Sequence, residues 1–373
     1  MLGVYIHYPF CRKLCPYCDF AVTVAPSGGI PHEAYRMAVV AELDALAPRF
    51  AGRELVSIYF GGGTPSLWPA TELGAVIAAV RARWEAAPRE VTLEANPRDC
   101  TPEAMAGWRA AGIDRLSIGV QSLAPSALAT LGRDHHQGDG RTAVTAAVAA
   151  GFRAVSADAI IGVPGTPGDD AAAALAVADL GPQHLSVYEL TIEPRTHFGK
   201  AVRAGRLALP DDDDLAARYL GVHAALTARG FEHYEVSSYA RPGFRAVHNS
   251  LYWRGGEYLG LGAGAASFRR APDGSAQRWT NHRATAAYLR AAPGRAAAEH
   301  ESLTAAELTH DLLWLAMRTT DGAAAADLEA AGTDLTRLLA LGLVESHGDR
   351  ICPTLRGFLY SNQIAIAIAG RHR

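Results

Sequence analysis

The first two hundred residues alternate short apolar runs with alanine-rich stretches of helical period, and few folds accept that rhythm. Strands are expected near Gly3–His7, Ser57–Phe60, Val91–Ala95, Arg115–Gly119, Ala154–Ile160 and Gln183–Leu190. Between them lie helical stretches at Ala34–Ala47, Ala70–Trp84, Pro102–Ala111, Pro125–Leu131, Arg141–Ala150 and Asp169–Leu180. Parallel neighbours need a long crossover, usually a helix, so six strands with five crossovers predict one parallel α/β sheet. A partial barrel and a doubly wound open sheet share this periodicity, and the pattern alone does not separate them. In parallel α/β barrels the active site lies at the carboxyl ends of the strands. Residues just after each strand therefore carry the functional signal.

The loop after the first strand reads Cys11-Arg12-Lys13-Leu14-Cys15-Pro16-Tyr17-Cys18 and holds three of the five cysteines in the chain. Three thiols in so short a loop cannot all pair with one another. An iron–sulfur cluster wants soft thiolate ligands; three of them hold three irons of a cubane and leave the fourth open to bind and activate something. A structural zinc wants four closed ligands, and His7 is the only candidate fourth nearby. A redox dithiol at Cys15 and Cys18 leaves Cys11 without a role. Three buried small hydrophobes would not cluster in this way.

The next strand ends are also informative. Gly61-Gly62-Gly63-Thr64-Pro65-Ser66 follows the second strand, where glycines let backbone approach a ligand closely or simply make a tight strand-to-helix turn. Glu94, before Asn96-Pro97, can accept both hydroxyls of a ribose. Gln121 ends the fourth strand, and Arg133 follows the next short helix, where it can clamp a carboxylate. Asp158 is an acid inside an apolar strand and needs a partner, because an unpaired buried carboxylate is costly.

Tyr5-Ile6-His7-Tyr8-Pro9-Phe10-Cys11, the CxxxCxxC spacing and Asp19-Phe20 resemble the radical-SAM superfamily. The resemblance is to the branch that holds oxygen-independent coproporphyrinogen III oxidase and the haem chaperones. It implies a partial TIM-like (β/α)6 barrel carrying a [4Fe-4S] cluster on Cys11, Cys15 and Cys18. In that superfamily the open iron is chelated by the amino and carboxylate groups of S-adenosylmethionine. An electron passed in from a donor cleaves the sulfonium to a 5′-deoxyadenosyl radical and methionine. Gly62, Gly63 and Thr64 match the motif that meets the amino group. Tyr5, Glu94, Gln121, Arg133 and Asp158 match positions that contact S-adenosylmethionine in the related oxidase.

Beyond residue 230 the rhythm changes. Phe231–Ala240 reads as extended, and Tyr258–Ala265 places glycine at every second position, leaving one side bare for something flat or for another backbone. His248-Asn249-Ser250-Leu251-Tyr252-Trp253, an HNxxYW string, resembles a motif of the haem-chaperone branch. There His248 is a candidate axial haem ligand; the alternative is a hydrogen-bonded linker residue. Helices with a turn-and-strand end follow, at Leu308–Met317, Ala323–Ala331, Leu335–Leu341 and Leu343–Pro353. The resemblance makes residues 1–230 a radical-SAM core, 231–298 a linking extension, and 299–373 a small winged-helix-like domain. Asp211–Asp214 is expected to start a helix, Cys100 and Cys352 to be packing residues, and His135-His136 to sit in a solvated turn. The run Ile364–Ala369 is expected to pack down as an element end.

Two functions fit this branch. One is the oxidase, which converts the propionates of coproporphyrinogen III to vinyls. The other is a chaperone that binds haem and passes it to haem-requiring respiratory enzymes, without oxidase activity. Oxidases resembling this chain carry a further cysteine where Phe20 stands and an extension before the first strand, whereas Met1–Val4 alone precede Tyr5 here. Either the domain begins abruptly or the start was placed late. These departures and the HNxxYW string favour the chaperone. The formal charge of −3 over 373 residues gives no footprint for nucleic acid. No apolar run approaches the ~18 residues that span a bilayer, and no signal pattern opens the chain. Reduced, cluster-forming cysteines suit the cytoplasm, with any place at the inner face of the membrane supplied by a partner.

Overall fold

The computed structural model describes residues 1–369 except Ala86 and Pro167. Gly370–Arg373, counted above in the last domain, lie outside the described residues. All six expected strands form: β1 (Leu2–Tyr8), β2 (Leu55–Gly62), β3 (Glu90–Ala95), β4 (Arg115–Gln121), β5 (Ala154–Ile161) and β6 (His184–Glu189). They pair in sequence order, and every pair is parallel. A doubly wound sheet reverses its strand order at a switch point; this one does not, so the architecture is a partial TIM-like barrel.

Six more strands extend this sheet: β7 (Glu232–Glu235), β8 (Ser238–Ala240), β9 (Glu257–Leu261), β10 (Ala266–Arg270), β11 (Ala276–Asn281) and β12 (Ala297–Leu303). The order across the sheet is β12-β11-β10-β9-β1-β2-β3-β4-β5-β6-β8-β7. Strand β9 runs parallel to β1, with Leu2 opposite Glu257 and Ile6 opposite Leu261. The bare side of this glycine-rich strand meets backbone: a Cβ at Gly260 would stand 2.0 Å from the Ala266 carbonyl oxygen. A buried network locks the extension to the barrel. Glu42, on helix His32–Leu46, accepts from Gly262 N–H (2.9 Å), Asn281 Nδ2 (2.7 Å) and the Tyr288 hydroxyl (2.8 Å).

Helices start where local chemistry caps them. Thr101 Oγ1 accepts from Ala104 N–H before Pro102–Ala110, Asp211 accepts from Asp214 N–H before Asp212–Ala228, and Thr304 with Glu307 forms a capping box before Ala305–Ala316. Cys100 and Cys352 are buried, as expected. His135 is not solvated. It is buried, with Nε2 hydrogen-bonded to the Val120 carbonyl oxygen at 3.0 Å, because the short loop after Arg133 folds back beneath β4.

Beyond β12 lie helices Ala305–Ala316, Ala325–Ala330 and Leu335–Ala340, with β13 (Ala323–Ala324), β14 (Val344–His347) and β15 (Arg350–Pro353). The last three form a sheet in the order β13-β15-β14, a winged-helix-like arrangement with its own core of Leu313, Met317, Leu328, Leu338 and Ile351. Helix Ser361–Ala369 packs onto that core through Ile364 and Ile368. Backbone bonds from Val236 N–H to Arg318 O and from Thr320 N–H to Tyr234 O, both 3.0 Å, join it to the barrel.

Candidate functional site

The cysteine loop is braced on several sides. Arg12 pairs with Asp99 at 2.6 Å, beyond the end of β3, and Asp99 accepts from Ser66 Oγ at 2.6 Å. Phe198 N–H donates to the Pro16 carbonyl at 3.0 Å, and Gly132 leaves room for the Pro16 ring, which a Cβ there would meet at 2.7 Å. Cys11, Cys15 and Cys18 are all free thiols and line one cleft of about 650 Å³. Thr64 Oγ1 donates to Cys11 Sγ at 3.4 Å, and Arg133 Nη1 approaches Cys15 Sγ at 3.9 Å. Burial pushes the Cys11 thiol up to about 11, and the neighbouring sulfurs of Cys18 and Cys15 push the same way.

Three thiols facing one cleft suit a cluster gripped at separate corners. They do not suit a single ion: among the described residues no three histidine, cysteine or carboxylate groups gather as a mononuclear site. His7 cannot complete a zinc site. Its Nε2–H donates to Ala21 O at 2.8 Å and its Nδ1 accepts the Tyr5 hydroxyl at 3.0 Å. Burial lowers its pKa to about 4, so it stays neutral.

The carboxyl ends of the strands converge on the same cleft. Gly62 has φ +111° and packs against the His7 ring, 2.5 Å from where its Cβ would lie. Gly63 and Thr64 donate their N–H groups to the Tyr8 and Phe10 carbonyls at 2.8 and 2.9 Å. The carbonyls of Thr64 and Pro65 accept from Leu67 and Trp68 N–H at 3.0 and 2.9 Å, and Gly62, Gly63 and Thr64 line the cleft. The tight-turn reading of the glycine run is met, and the same residues line the cleft.

Glu94 accepts from the Tyr59 hydroxyl at 2.8 Å and from Gly62 N–H at 3.2 Å. Burial pushes its carboxyl up to about 7, opposed by the Tyr59 hydrogen bond and assisted by the charge of Asp158. Asp158 has the partner its position demanded: Ser117 Oγ donates to both of its oxygens at 3.0 and 3.1 Å. Burial raises it to about 6. Gln121 is the one non-glycine residue with positive φ (+63°) among the described residues, at a register shift between β4 and β5. A left-handed glutamine is a local cost that clusters at ligand sites. Arg133 donates Nη2–H to Gly119 O at 3.1 Å, while its buried Nε finds no partner among the described residues. That orphan donor is what a ligand carboxylate would satisfy.

Tyr5 and His248 sit differently. Tyr5 lies at the wall of a second cavity beside the first, stacked on Tyr59 with ring centroids 6.0 Å apart. His248 lies on helix Val247–Trp253, is 1% exposed and lines neither cavity. Hydrogen bonds occupy both its nitrogens, Nδ1 with Ser57 Oγ at 2.8 Å and Nε2 with the Tyr252 hydroxyl at 2.7 Å. The structure thus places His248 as a hydrogen-bonded floor residue and leaves it no nitrogen free for haem iron.

Several cleft residues escaped the sequence reading. Thr92, Arg115, Ser117, Ser156, Ser186 and Tyr188 face the cleft together with the strand-end residues. They alternate along β3 to β6 with buried apolar residues, so the signal was a polar residue at every second strand position.

Residues 5–178 match the Radical SAM superfamily. Over 374 aligned residues, covering 99% of this chain and 95% of the relative, the chain is 40% identical to Heme chaperone HemW of Mycobacterium tuberculosis. It belongs to the HemW family of radical SAM proteins. HemW of Escherichia coli is also 40% identical, over 76% of this chain and 74% of its own length. The Escherichia coli coproporphyrinogen III oxidase HemN shares the fold, with a TM-score of 0.81, 23% identity and coverage of 99% and 90% of the two chains. Membership of the superfamily implies a [4Fe-4S] cluster and S-adenosylmethionine. The three free thiols on one cleft and the orphan Arg133 donor beside them fit both. Among the described residues no helix of this HemW relative is long and apolar enough to cross a membrane.

Proposed function

We propose that this chain is a haem chaperone that binds a [4Fe-4S] cluster, S-adenosylmethionine and haem, and hands haem to acceptor proteins. The observation that carries the reading is 40% identity to Heme chaperone HemW across nearly the whole of both chains. Phe20, where related oxidases carry a cysteine, supports it.

Cys11, Cys15 and Cys18 hold the cluster, whose chemistry when bound is to deliver one electron to the sulfonium of S-adenosylmethionine. Arg133 holds the methionyl carboxylate with the donor that is otherwise unpaired. Glycine-turn carbonyls accept from the amino group, and Glu94 accepts from the ribose hydroxyls. Gln121 and Asp158 fix the remaining polar edge, and Tyr5 closes the wall behind Glu94. Haem-requiring respiratory enzymes are the recipients to which the resemblance leads, with an electron donor as the second partner. The setting is the cytoplasm, or the inner face of the membrane through such a recipient.

Purified without oxygen and reconstituted with iron and sulfide, the protein should show a broad cluster absorbance that vanishes when Cys11, Cys15 and Cys18 are changed to alanine. It should bind haem and leave coproporphyrinogen III unchanged. Protoporphyrinogen accumulating in that assay would replace the chaperone reading with the oxidase.

A further inference from the structure

The cleft that holds the strand-end residues is not the only large cavity. A second one, of about 530 Å³, adjoins it and shares Asp19, Phe20, Gly62, Glu94 and Arg283. That size lies within the range of organic-ligand sites, roughly 300–1,000 Å³. Its walls are largely apolar, with Tyr252 and Tyr258 meeting edge to face. Tyr252, Tyr258 and Phe268 present rings, with centroids 4.7 Å apart for the first pair and 5.8 Å for the second. Gly255 makes room for Leu312, whose Cδ2 a Cβ there would meet at 1.9 Å, and Leu312 and Leu315 from helix Ala305–Ala316 complete the wall on that side.

Phe20 stands between the two cavities and is 69% exposed, a large apolar surface left uncovered at their shared mouth. Two guanidinium groups, Arg278 and Arg283, stand in this lining; its carboxylates, Asp19 and Glu94, lie on the side shared with the first cleft. Arg278 bonds Asp311 at 2.8 Å and Glu301 at 3.4 Å yet remains 32% exposed. Arg283 is 51% exposed and leans on Asp19 alone.

We propose that this second cavity is the porphyrin seat, taking a flat tetrapyrrole with two carboxylates, its ring against Tyr252, Tyr258, Phe268 and the paired leucines and its carboxylates on Arg278 and Arg283. The inference rests on the haem-chaperone reading and adds where and how the cargo sits. Its basis is a match of chemistry. A dicarboxylate porphyrin brings one broad apolar face and two anions, and the cavity offers apolar walls and two guanidiniums. A tetracarboxylate porphyrinogen would bring two further anions with no cation left to meet them. The shared wall at Gly62 and Glu94 puts the cargo next to the cluster cleft without occupying it.

The test uses the reconstituted full-length protein, with haemin and haemin dimethyl ester as probes. Ala266→Trp fills the cavity from β10, and Arg278→Gln removes one guanidinium. Haemin affinity is expected to fall about tenfold or more in each, as losing one charge-assisted contact implies. Cluster absorbance and S-adenosylmethionine binding should stay at wild-type values. Wild type should prefer haemin to its diester, and Arg278→Gln should shrink that preference. Both variants binding haemin as wild type does would overturn the seat while leaving the chaperone reading intact. Wild type failing to bind haemin at all would overturn both. If Ala266→Trp loses cluster and haemin together, the ester preference of Arg278→Gln decides, and an unchanged preference counts against the seat.

Discussion

Glu94 shows how one side chain can be set for a ligand that arrives later. Its two hydrogen bonds favour the carboxylate, yet burial prevails and raises it to about 7. The sign follows from linkage. Between the ordinary glutamate range and pH 7 the folded protein keeps a proton that the unfolded chain releases, so this group's contribution to stability is full at low pH and is lost as pH rises toward 7. Ribose hydroxyls donate more strongly to the ionised form, which accepts at both oxygens. Affinity for S-adenosylmethionine is therefore expected to rise between pH 6 and pH 8, with a proton released on binding. Glu94→Gln should weaken binding by about tenfold, the scale of a hydrogen bond to a charged group, and flatten the rise. Calorimetry in buffers of different ionisation enthalpy checks both, and a flat wild-type profile would count against Glu94 as the ribose acceptor.

At the scale of elements, the sheet shows why part of this site was readable and part was not. Cysteines, glycines and charged residues just after strands announce themselves, because such types are out of place at the end of an apolar run. Ser117, Ser156 and Ser186 do not, since a single serine in a strand reads as tolerated polarity until neighbouring strands align it with Asp158. The barrel order was likewise hidden, because periodicity carries no information about which strands pair. His248 stayed open between two readings for a related reason: its motif is visible in sequence, but the hydroxyls that tie it down come from Ser57 on β2 and Tyr252 on its own helix.

Glu90 is a second such hidden anchor. Fully buried on β3, it accepts from Val247 N–H at 3.1 Å and His248 N–H at 3.0 Å, and it faces Arg115 at 3.7 Å. One carboxylate thus caps helix Val247–Trp253 and neutralises a buried guanidinium. Glu90→Ala should cost about 3–5 kcal/mol, the range for breaking a buried pair from one side. Glu90→Gln should cost less, because the amide oxygen still accepts from the helix. Denaturant unfolding of the two variants separates the charge from the cap, and two wild-type midpoints would show the network to be idle.

The barrel and the segment beyond β12 have separate apolar cores, joined by polar and aromatic contacts. Asp321 bridges Arg245 at 3.2 Å and Arg254 at 3.1 Å, exposed pairs that contribute little, about 0–1 kcal/mol each. The two backbone bonds around Tyr234 and Arg318, the Glu235–Thr319 bridge and the His233–Phe358 ring pair at 5.2 Å complete the seam. Yet Leu312 and Leu315, from the helix that leads into the small domain, form part of the second cavity's wall. Cargo seated there would touch both bodies, so binding it must strengthen their contact, and opening that contact must loosen the cargo. A ligand bound only by the closed form stabilises it by about 2.7 kcal/mol at a hundred times its dissociation constant. Amide exchange in helix Ala305–Ala316, where it proceeds by parting of the two bodies, should then slow by up to about a hundredfold with haemin. S-adenosylmethionine, whose cleft this helix does not line, should leave that exchange unchanged. Equal exchange with and without haemin would mean that the small domain takes no part in holding or releasing the cargo.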